Sequence, residues 1–322
     1  MQSRELGSTG IEVTRIALGC GNFGGIGSAP AFFGQGETRE EAFAVMDAAW
    51  ELGIRLFDTA PSYGGGRSER WIGEWMAERG RLPVIATKVF HSVTGDPADE
   101  GLAPDRIRRE LAGSLERLGL ERVPLYLIHA PDPDTPLELT LRALDELVRA
   151  GKVGAIGASN VDAEYLERAL ALSDAEGLVR FQWVQNSYSL LERAEGLEIL
   201  PVCEREGLGF TPFGPLAGGW LTGKYRRGAS LPAGSRMTMR PEAYEGFLNE
   251  RTFDALSAFE ASARERGVSM AALALAWLLA DERVTSVVVG PRNPQHLDAA
   301  RAALEIRLTP AEAAELSELF GH

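Results

Sequence analysis

Short apolar runs alternate with longer amphipathic segments along most of the chain. The apolar runs are rich in β-branched residues and are bounded by Gly, Pro or polar residues, which predicts β-strands. Most of them are apolar at consecutive positions, so we expect both faces of each strand to be buried. The eight strand candidates are RIALG (15–19), IRLFD (54–58), PVIATK (83–88), PLYLIH (124–129), VGAIGAS (153–159), FQWVQ (181–185), GFTPF (209–213) and SVVVG (286–290).

The segments between these runs carry the periodicity and end signals of helices. Thr38 and Glu41 fit a capping box at the start of the first helix. Gly53 and Gly151 each follow an apolar-periodic run, where a left-handed residue ends a helix. Helices are predicted near 39–52, 68–79, 104–118, 136–150, 162–172, 194–206 and 250–266, and at the apolar stretch 270–280, which is too short to span a bilayer.

Eight strands in alternation with helices predict a parallel sheet that is covered by helices. Such a sheet is either open and doubly wound or closed into a barrel. The count of eight and a length somewhat above the typical ~250 residues favour a TIM (β/α)8 barrel. We expect one domain over residues 1–322, with a β-hairpin around Gly7 and Gly10. The stretch 214–250 is predicted to be a long loop after the seventh strand, and a loop of that length is usually functional.

One glycine motif suggests a different fold. GCGNFG (19–24) matches G-x-G-x-x-G after a strand, but the dinucleotide-binding motif needs a helix that begins at its third glycine. The next residues, GIGSAPAFFGQG, are unsuited to a helix. A Rossmann site is therefore not expected.

Composition narrows the classes of function. The chain has 322 residues, a net charge of −13 and a pI of about 5.0, which argues against a nucleic-acid or anionic-membrane partner. A local basic pocket for a nucleotide cofactor stays possible. The two cysteines, Cys20 and Cys203, form no disulfide framework or zinc motif, and MQSRELGSTG has no apolar signal region. We therefore expect a cytoplasmic protein.

Polar side chains stand at the carboxyl ends of five predicted strands, where barrel enzymes carry their active sites. If these side chains served only to pack the core, each would need its own buried hydrogen-bond partners. Their presence together therefore indicates a functional site. These residues are Asp58, Lys88, His129, Ser159 with Asn160, and Gln185, while Tyr63 lies in the loop after Asp58.

Asp58, Tyr63, Lys88 and His129 make chemical sense as a set. The pKa of a tyrosine is about 10, and a Lys88 ammonium beside Tyr63 would lower it. Asp58 would keep Lys88 charged, and His129 would donate to a substrate carbonyl. The set predicts a general acid that protonates an alkoxide as hydride arrives from a bound cofactor. The alternatives are a plain buried ion pair with a structural histidine, or a lyase in which Lys88 forms a Schiff base.

Motifs in matching order across nearly the whole chain resemble the aldo-keto reductase superfamily, in particular the branch with bacterial sugar and aldehyde reductases and potassium-channel β-subunits. That resemblance implies NAD(P)H-dependent reduction of an aldehyde or ketone, or the reverse oxidation of an alcohol, sugar or lactol, with Asp58, Tyr63, Lys88 and His129 as catalytic residues. The motifs are FDTAPSYGGGRSE (57–69), TK (87–88), LIHAPDP (127–133), GKVGAIGASN (151–160), QNSYSLL (185–191), PLAGGWLTGKY (215–225) and VVVGPRNPQHL (287–297).

The resemblance also implies a set of cofactor contacts without a Rossmann fold. Ser159, Asn160 and Gln185 would hold the nicotinamide carboxamide. The remaining implied cofactor residues are Phe213, Pro215, Leu216, Gly218, Lys224, Gly290, Arg292 and Gln295. Ser68 is expected to be the N-cap of the helix that follows the three glycines of the first motif.

This chain departs from the family at several cofactor positions. Phe213 replaces a tyrosine that stacks on the nicotinamide, and Gly214 replaces a serine. Ala299 and Ala300 stand where a Glu–Asn pair contacts adenine. Arg292 is retained as a fork-shaped partner for a 2′-phosphate, so NADP(H) is favoured and NAD(H) is possible.

Phe23, Phe90, His91 and Trp220 lie on loops that would line the barrel mouth, which suggests an aromatic-walled substrate pocket. The expected partner is a small carbonyl or alcohol; the sequence predicts no metal site and does not resolve monomer from homo-oligomer. A second hypothesis is a slow-turnover nucleotide-binding regulatory protein resembling the channel β-subunits. The short N-terminal segment favours the enzyme.

Overall fold

The computed structural model describes residues 1–321 and has ten strands. Two of them form a small antiparallel sheet, and eight parallel strands form the main sheet. The two strands of the small sheet are β1 (Ser3–Glu5) and β2 (Glu12–Thr14). The main sheet contains β3 (Ile16–Gly19), β4 (Leu56–Asp58), β5 (Val84–Val89), β6 (Val123–Ile128), β7 (Val153–Ser159), β8 (Trp183–Gln185), β9 (Gly209–Phe210) and β10 (Val287–Val289).

The eight parallel strands form a closed ring. Their order is β10, β3, β4, β5, β6, β7, β8, β9. The two ends of this series meet, because the amide of Thr285 donates to the carbonyl of Phe210 (2.8 Å) and that of Val288 donates to Pro212 (2.9 Å). All eight predicted strands are present, and the predicted (β/α)8 barrel is confirmed.

The predicted N-terminal hairpin is confirmed, and it covers the amino-terminal end of the barrel. Gly7 has φ +56°, and a Cβ on it would come within 2.3 Å of the carbonyl oxygen of Gln182. This close approach lets Leu6 and Val13 join the inner core of the barrel together with Trp183. The hairpin leaves the opposite mouth, at the carboxyl ends of the strands, uncovered.

Helices cover the outside of the barrel, and each predicted helix is present within a few residues. Three further helices, α7, α10 and α11, were not predicted. The helices are α1 (Arg39–Leu52), α2 (Arg67–Arg79), α3 (Pro104–Leu118), α4 (Leu137–Arg149), α5 (Ala163–Glu176), α6 (Ala194–Glu206), α7 (Arg236–Met239), α8 (Glu250–Glu265), α9 (Met270–Ala280), α10 (Leu297–Ala303) and α11 (Pro310–Glu318). Within residues 1–321, no helix has the length and apolar character needed to cross a membrane.

Local end signals have mixed outcomes. The capping box of Thr38 and Glu41 is confirmed, and Gly53 has φ +93° at the end of α1. The prediction for Ser68 is wrong, because α2 begins at Arg67 after the left-handed Gly66. The Ser68 hydroxyl instead donates to the carbonyl of Cys20 (3.0 Å), so it ties α2 to the strand-end loop of β3.

The stretch between β9 and α8 is the long loop predicted from sequence. A Cβ on Gly218 would lie 2.7 Å from the ring of Tyr244, so the loop folds back on its own beginning. The segment of the long loop around α7 contacts the loop after β3, where the Arg236 guanidinium donates to the Asn22 amide oxygen. The long loop therefore spans part of the barrel mouth.

Candidate active site

A buried lysine lies at the centre of the barrel mouth. The Lys88 ammonium, on β5, donates to both carboxylate oxygens of Asp58 at the end of β4 (2.9 and 2.8 Å). It also donates to the carbonyl of Thr59 (2.9 Å) and to the phenol oxygen of Tyr63 (3.2 Å). Lys88 is fully buried and Asp58 is 4% exposed, so this arrangement is a desolvated ion pair that is hydrogen-bonded to Tyr63.

The ion pair keeps Lys88 charged. Burial lowers the pKa of Lys88, but Asp58 and Tyr63 together outweigh it, and the net pKa is raised above the ordinary value. Lys88 is therefore an ammonium at neutral pH, with its protons directed at the carboxylate and the phenol.

The pKa of Tyr63 does not move in the direction expected from sequence. Burial raises it, Lys88 lowers it in part, and the net pKa lies above its ordinary value. Desolvation of the phenol raises this pKa by more than the charge of Lys88 lowers it. Tyr63 is consequently protonated at neutral pH, as a proton donor must be.

His129 follows β6 and lies beside the tyrosine. Its ring packs edge-on against Tyr63, with centroids 5.7 Å apart, and against His91 at 4.9 Å. Burial, then Lys88 and His91, hold the pKa of His129 well below 6.5. The imidazole is therefore neutral, so it can donate one hydrogen bond without repelling the nearby ammonium.

The three residues assigned to the nicotinamide carboxamide adjoin this set. Ser159 and Gln185 are register partners at the ends of β7 and β8. The Asn160 amide donates to the carbonyl of His129 (2.8 Å), and the Gln185 amide donates to Asp58 Oδ1 (2.9 Å). Hydrogen bonds thus connect the carboxamide residues to the carboxylate that holds Lys88.

The cofactor residues predicted after β9 follow the same rim. Phe213 is half-buried and packs against the inner core, so part of its ring is accessible at the mouth. Pro215 is buried and Leu216 is half-buried. Gly218 lies beneath Tyr244, and a Cβ on the neighbouring Gly219 would lie 2.3 Å from the ammonium of Lys224.

The last predicted block has one unexpected partner. The Arg292 Nε donates to Glu37 Oε1 (2.7 Å), and the Arg292 NH1 donates to the carbonyl of Gly234 (2.9 Å). Gly290 is exposed at the end of β10. Gln295 is also exposed but does not line the small pocket beside Arg292, whereas its neighbour His296 does.

The predicted substrate residues divide into two pairs. Phe90 and His91 are partly exposed and pack edge-on together, 5.0 Å between centroids, with His91 against His129. Phe23 and Trp220 are fully buried, so their side chains present no surface to a ligand. Trp220 instead packs in an aromatic cluster with Tyr225, Phe247 and Phe253.

Glu37 and Arg236 also lie at this mouth and were not predicted from sequence. No motif marked either residue, because each acquires its surroundings from a distant segment of the chain. Arg236 is tied to the neutral amide of Asn22, and burial lowers its pKa. Its positive charge is therefore not neutralised by its hydrogen-bond partner.

The donor set of this mouth fits a nicotinamide dinucleotide. Amide groups stand at the ends of β7 and β8, and the half-buried ring of Phe213 follows at the end of β9. The cations Lys224 and Arg236 then border the rim in a chain whose net charge is −13, which suits phosphate groups, whereas Arg292 on the same rim is paired with Glu37. In the part of the chain that the structure describes, no group of His, Cys, Asp and Glu is arranged to hold a metal ion.

Comparison with known proteins agrees with this architecture. A model of the aldo/keto reductase family matches residues 15–320. The chain is 36% identical to the uncharacterized oxidoreductase YrpG of Bacillus subtilis, with 99% of this chain and 96% of that protein covered. It is 32% identical to the NADH-specific methylglyoxal reductase of Escherichia coli (99% and 98% covered) and 33% identical to a probable voltage-gated potassium channel subunit beta of rice (96% and 94% covered).

The barrel and these relatives define the class of protein, an oxidoreductase of carbonyl compounds. The chain belongs to the aldo/keto reductase family, whose members use nicotinamide cofactors.

Proposed function

We propose that the protein reduces an aldehyde or ketone to an alcohol with NAD(P)H, or catalyses the reverse oxidation, and that Tyr63 supplies the proton. The observation that carries the proposal is the buried Lys88 ammonium, which donates both to Asp58 and to the Tyr63 phenol oxygen. A phenol held in this way is protonated at rest and is stabilised as an anion once it has given up its proton.

Each residue of the set has a separate task. Tyr63 donates its proton to the oxygen of the substrate carbonyl as negative charge develops there. Lys88 stabilises the phenolate that is left, and Asp58 keeps Lys88 charged. The neutral imidazole of His129 donates a hydrogen bond to the same substrate oxygen and orients the carbonyl.

The bound nicotinamide would supply the hydride from its C4 carbon. Asn160 and Gln185 would hold the carboxamide, and Phe213 would pack on one face of the ring. Lys224 and Arg236 would bind the phosphates. The tight set around Lys88 would exclude water from the place of proton transfer.

The same geometry disfavours a Schiff-base lyase. A nucleophilic lysine must lose its proton, and neutral lysines arise where burial lowers the pKa. The pKa of Lys88 is instead raised, and its ammonium is bound by four oxygen atoms. Borohydride treatment with a carbonyl substrate should therefore leave Lys88 unmodified.

The proposal is tested with the variant Tyr63→Phe. Turnover of an aromatic aldehyde, methylglyoxal and a sugar is monitored by the absorbance of the nicotinamide. We expect kcat/KM to fall about 10²- to 10⁴-fold, the usual worth of general acid catalysis. Nucleotide binding, followed by fluorescence, should change little. Tyr126→Phe is the matched control, because Tyr126 is a fully buried tyrosine on β6 whose hydroxyl contacts the carbonyl of Ile107.

Activity of Tyr63→Phe within a few-fold of wild type would refute the general-acid assignment. The alternative function, a nucleotide-binding regulatory protein, is motivated by the rice relative named as a channel subunit. Tight nucleotide binding without multiple turnovers on any of the three substrates would favour that alternative.

A further inference from the structure

A small pocket lies beside the cofactor rim, between the loop after β3 and the loop after β10. Its volume is about 260 Å³, below the range of about 300–1,000 Å³ for whole-ligand pockets. It is therefore suited to one part of a larger ligand. The pocket is lined by Gly36, Glu37, Glu41, Arg292, Asn293 and His296.

Glu37 is the unusual member of this lining. It is 4% exposed, and its Oε1 accepts from Arg292, but its Oε2 is buried without a hydrogen-bond partner. An unsatisfied buried carboxylate oxygen is costly, and burial raises the pKa of Glu37 despite its bond to Arg292. Because Glu37 lines the pocket, a hydroxyl donor of a ligand bound there would supply the hydrogen bond that this carboxylate lacks.

The position of the pocket relates it to a dinucleotide. The carboxamide residues lie at the ends of β7 and β8, Phe213 follows β9, and Arg292 follows β10. Successive strands of a barrel are neighbours at its mouth, and β10 closes the ring beside β9. A dinucleotide that extends from Gln185 past Lys224 would thus bring its adenosine half to Arg292 and Glu37.

We propose that this pocket receives the adenosine ribose and that Glu37 selects NAD(H) over NADP(H). The inference rests on the function proposed above. A carboxylate accepts hydrogen bonds from the 2′-hydroxyl of NAD(H), which is the use that nucleotide-binding proteins of other folds make of an acidic residue. The 2′-phosphate of NADP(H) carries nearly two negative charges, and Glu37 would repel it.

Arg292 alone would favour NADP(H), because a guanidinium matches the geometry of a phosphate. In this structure its Nε is bound to Glu37 and its NH1 to the carbonyl of Gly234. The ion pair offsets the positive charge that would attract a 2′-phosphate. The preference for NADP(H) that Arg292 suggested from sequence is therefore reversed in this proposal.

The test is Glu37→Gln, which keeps the shape of the side chain and removes its charge. Dissociation constants for NADH and NADPH are measured by fluorescence titration on the full chain. We expect the wild type to bind NADH at least as tightly as NADPH. In the variant, NADPH should bind about tenfold more tightly than in the wild type, which is about 1.4 kcal/mol, while NADH should bind slightly more weakly.

Glu41→Gln is the matched control. Glu41 lines the same pocket, but its carboxylate is held by the amide of Thr38 (2.8 Å) in the capping box. Loss of this charge should change the ratio of the two constants less than twofold.

Tighter binding of NADPH than of NADH by the wild type would overturn the inference, and so would a ratio in Glu37→Gln that matches the ratio in Glu41→Gln. Either result would leave the proposed oxidoreductase function intact. If the wild type bound neither nucleotide, the proposed function would fail and the inference with it.

Discussion

Asp58→Asn is the substitution that most directly probes the centre of the barrel mouth. It keeps the size of the side chain and removes the negative charge that faces Lys88. The ammonium, which is fully buried, then has only the neutral oxygens of Thr59, Tyr63 and the new amide as partners. The amide nitrogen of Gln185, which also donates to Asp58 Oδ1 (2.9 Å), loses a charged acceptor as well.

The size of the effect follows from the burial of the pair. Removal of one partner of a buried ion pair costs about 3–5 kcal/mol, because the other charge is left uncompensated. Unfolding of a 322-residue chain carries an entropy of about 2.1 cal/mol/K per residue, so 1 kcal/mol corresponds to about 1.5 °C in Tm. We therefore expect the Tm of Asp58→Asn to lie about 4–8 °C below wild type at pH 7.

The deficit should depend on pH. In the wild type, burial lowers the pKa of Lys88 but Asp58 and Tyr63 raise it above 10.5 overall. A raised pKa contributes stability that is fully present below the unfolded-state value, and it is lost only as pH rises through the folded-state value. Without the carboxylate, burial dominates and the pKa of Lys88 falls. The folded variant then binds fewer protons than its unfolded chain, so its stability rises with pH.

The Tm of Asp58→Asn should therefore approach that of the wild type as pH rises. Thermal unfolding of both proteins at pH 7, 8, 9 and 9.5, followed by circular dichroism, measures this difference in Tm. The matched control is Asp105→Asn, whose side chain is 98% exposed and bonds Arg108 at 2.9 Å; it should leave Tm unchanged at every pH. A Tm difference between Asp58→Asn and wild type that stays constant from pH 7 to 9.5 would refute the claim that a buried, uncompensated ammonium causes the loss.

Two further predictions concern His129 and the hairpin. Burial, Lys88 and His91 hold the pKa of His129 well below 6.5, so the unfolded chain takes up a proton that the folded protein does not, and stability falls as pH drops from 6.5 to 5. His129→Gln should make the fall in Tm over that range shallower than in wild type, and parallel curves would contradict the assignment. Gly7→Ala would force a Cβ against backbone atoms of Gln182 and Gly209, whereas Gly10→Ala, also at positive φ, meets nothing within 4 Å. In urea unfolding we expect a loss of about 3 kcal/mol for Gly7→Ala and about 1 kcal/mol for Gly10→Ala, and equal losses would disprove the close approach.

Much of the fold was predictable because apolar runs and cap signals are local. The eight strands follow from runs such as 153–159, and the placement of Asp58 and Lys88 at the mouth follows from the strand ends. Helix α11 was predictable in principle, since Thr309 and Glu312 form the same capping box as Thr38 and Glu41. It was missed because its segment carries only a weak apolar stripe.

The remainder of the site depends on contacts between distant segments. Glu37 and Arg292 are 255 residues apart in the chain, so no local pattern could pair them. The raised pKa of Tyr63 likewise depends on desolvation, which exists only once the loop after β4 is packed in the barrel mouth. Trp220 was predicted to line the mouth because its loop follows a strand end, whereas its side chain is buried in an aromatic cluster.

The single oxygen Asp58 Oδ1 accepts hydrogen bonds from both Lys88 and Gln185. If Gln185 holds the carboxamide, then the grip on the nucleotide and the charge of the lysine act on one shared acceptor. Coupling of this kind is reciprocal. If nucleotide binding changes the free energy of protonation of Lys88, then protonation of Lys88 changes the free energy of nucleotide binding by the same amount. The acidity of Tyr63 would then differ between the free and the loaded protein even if no backbone atom moved.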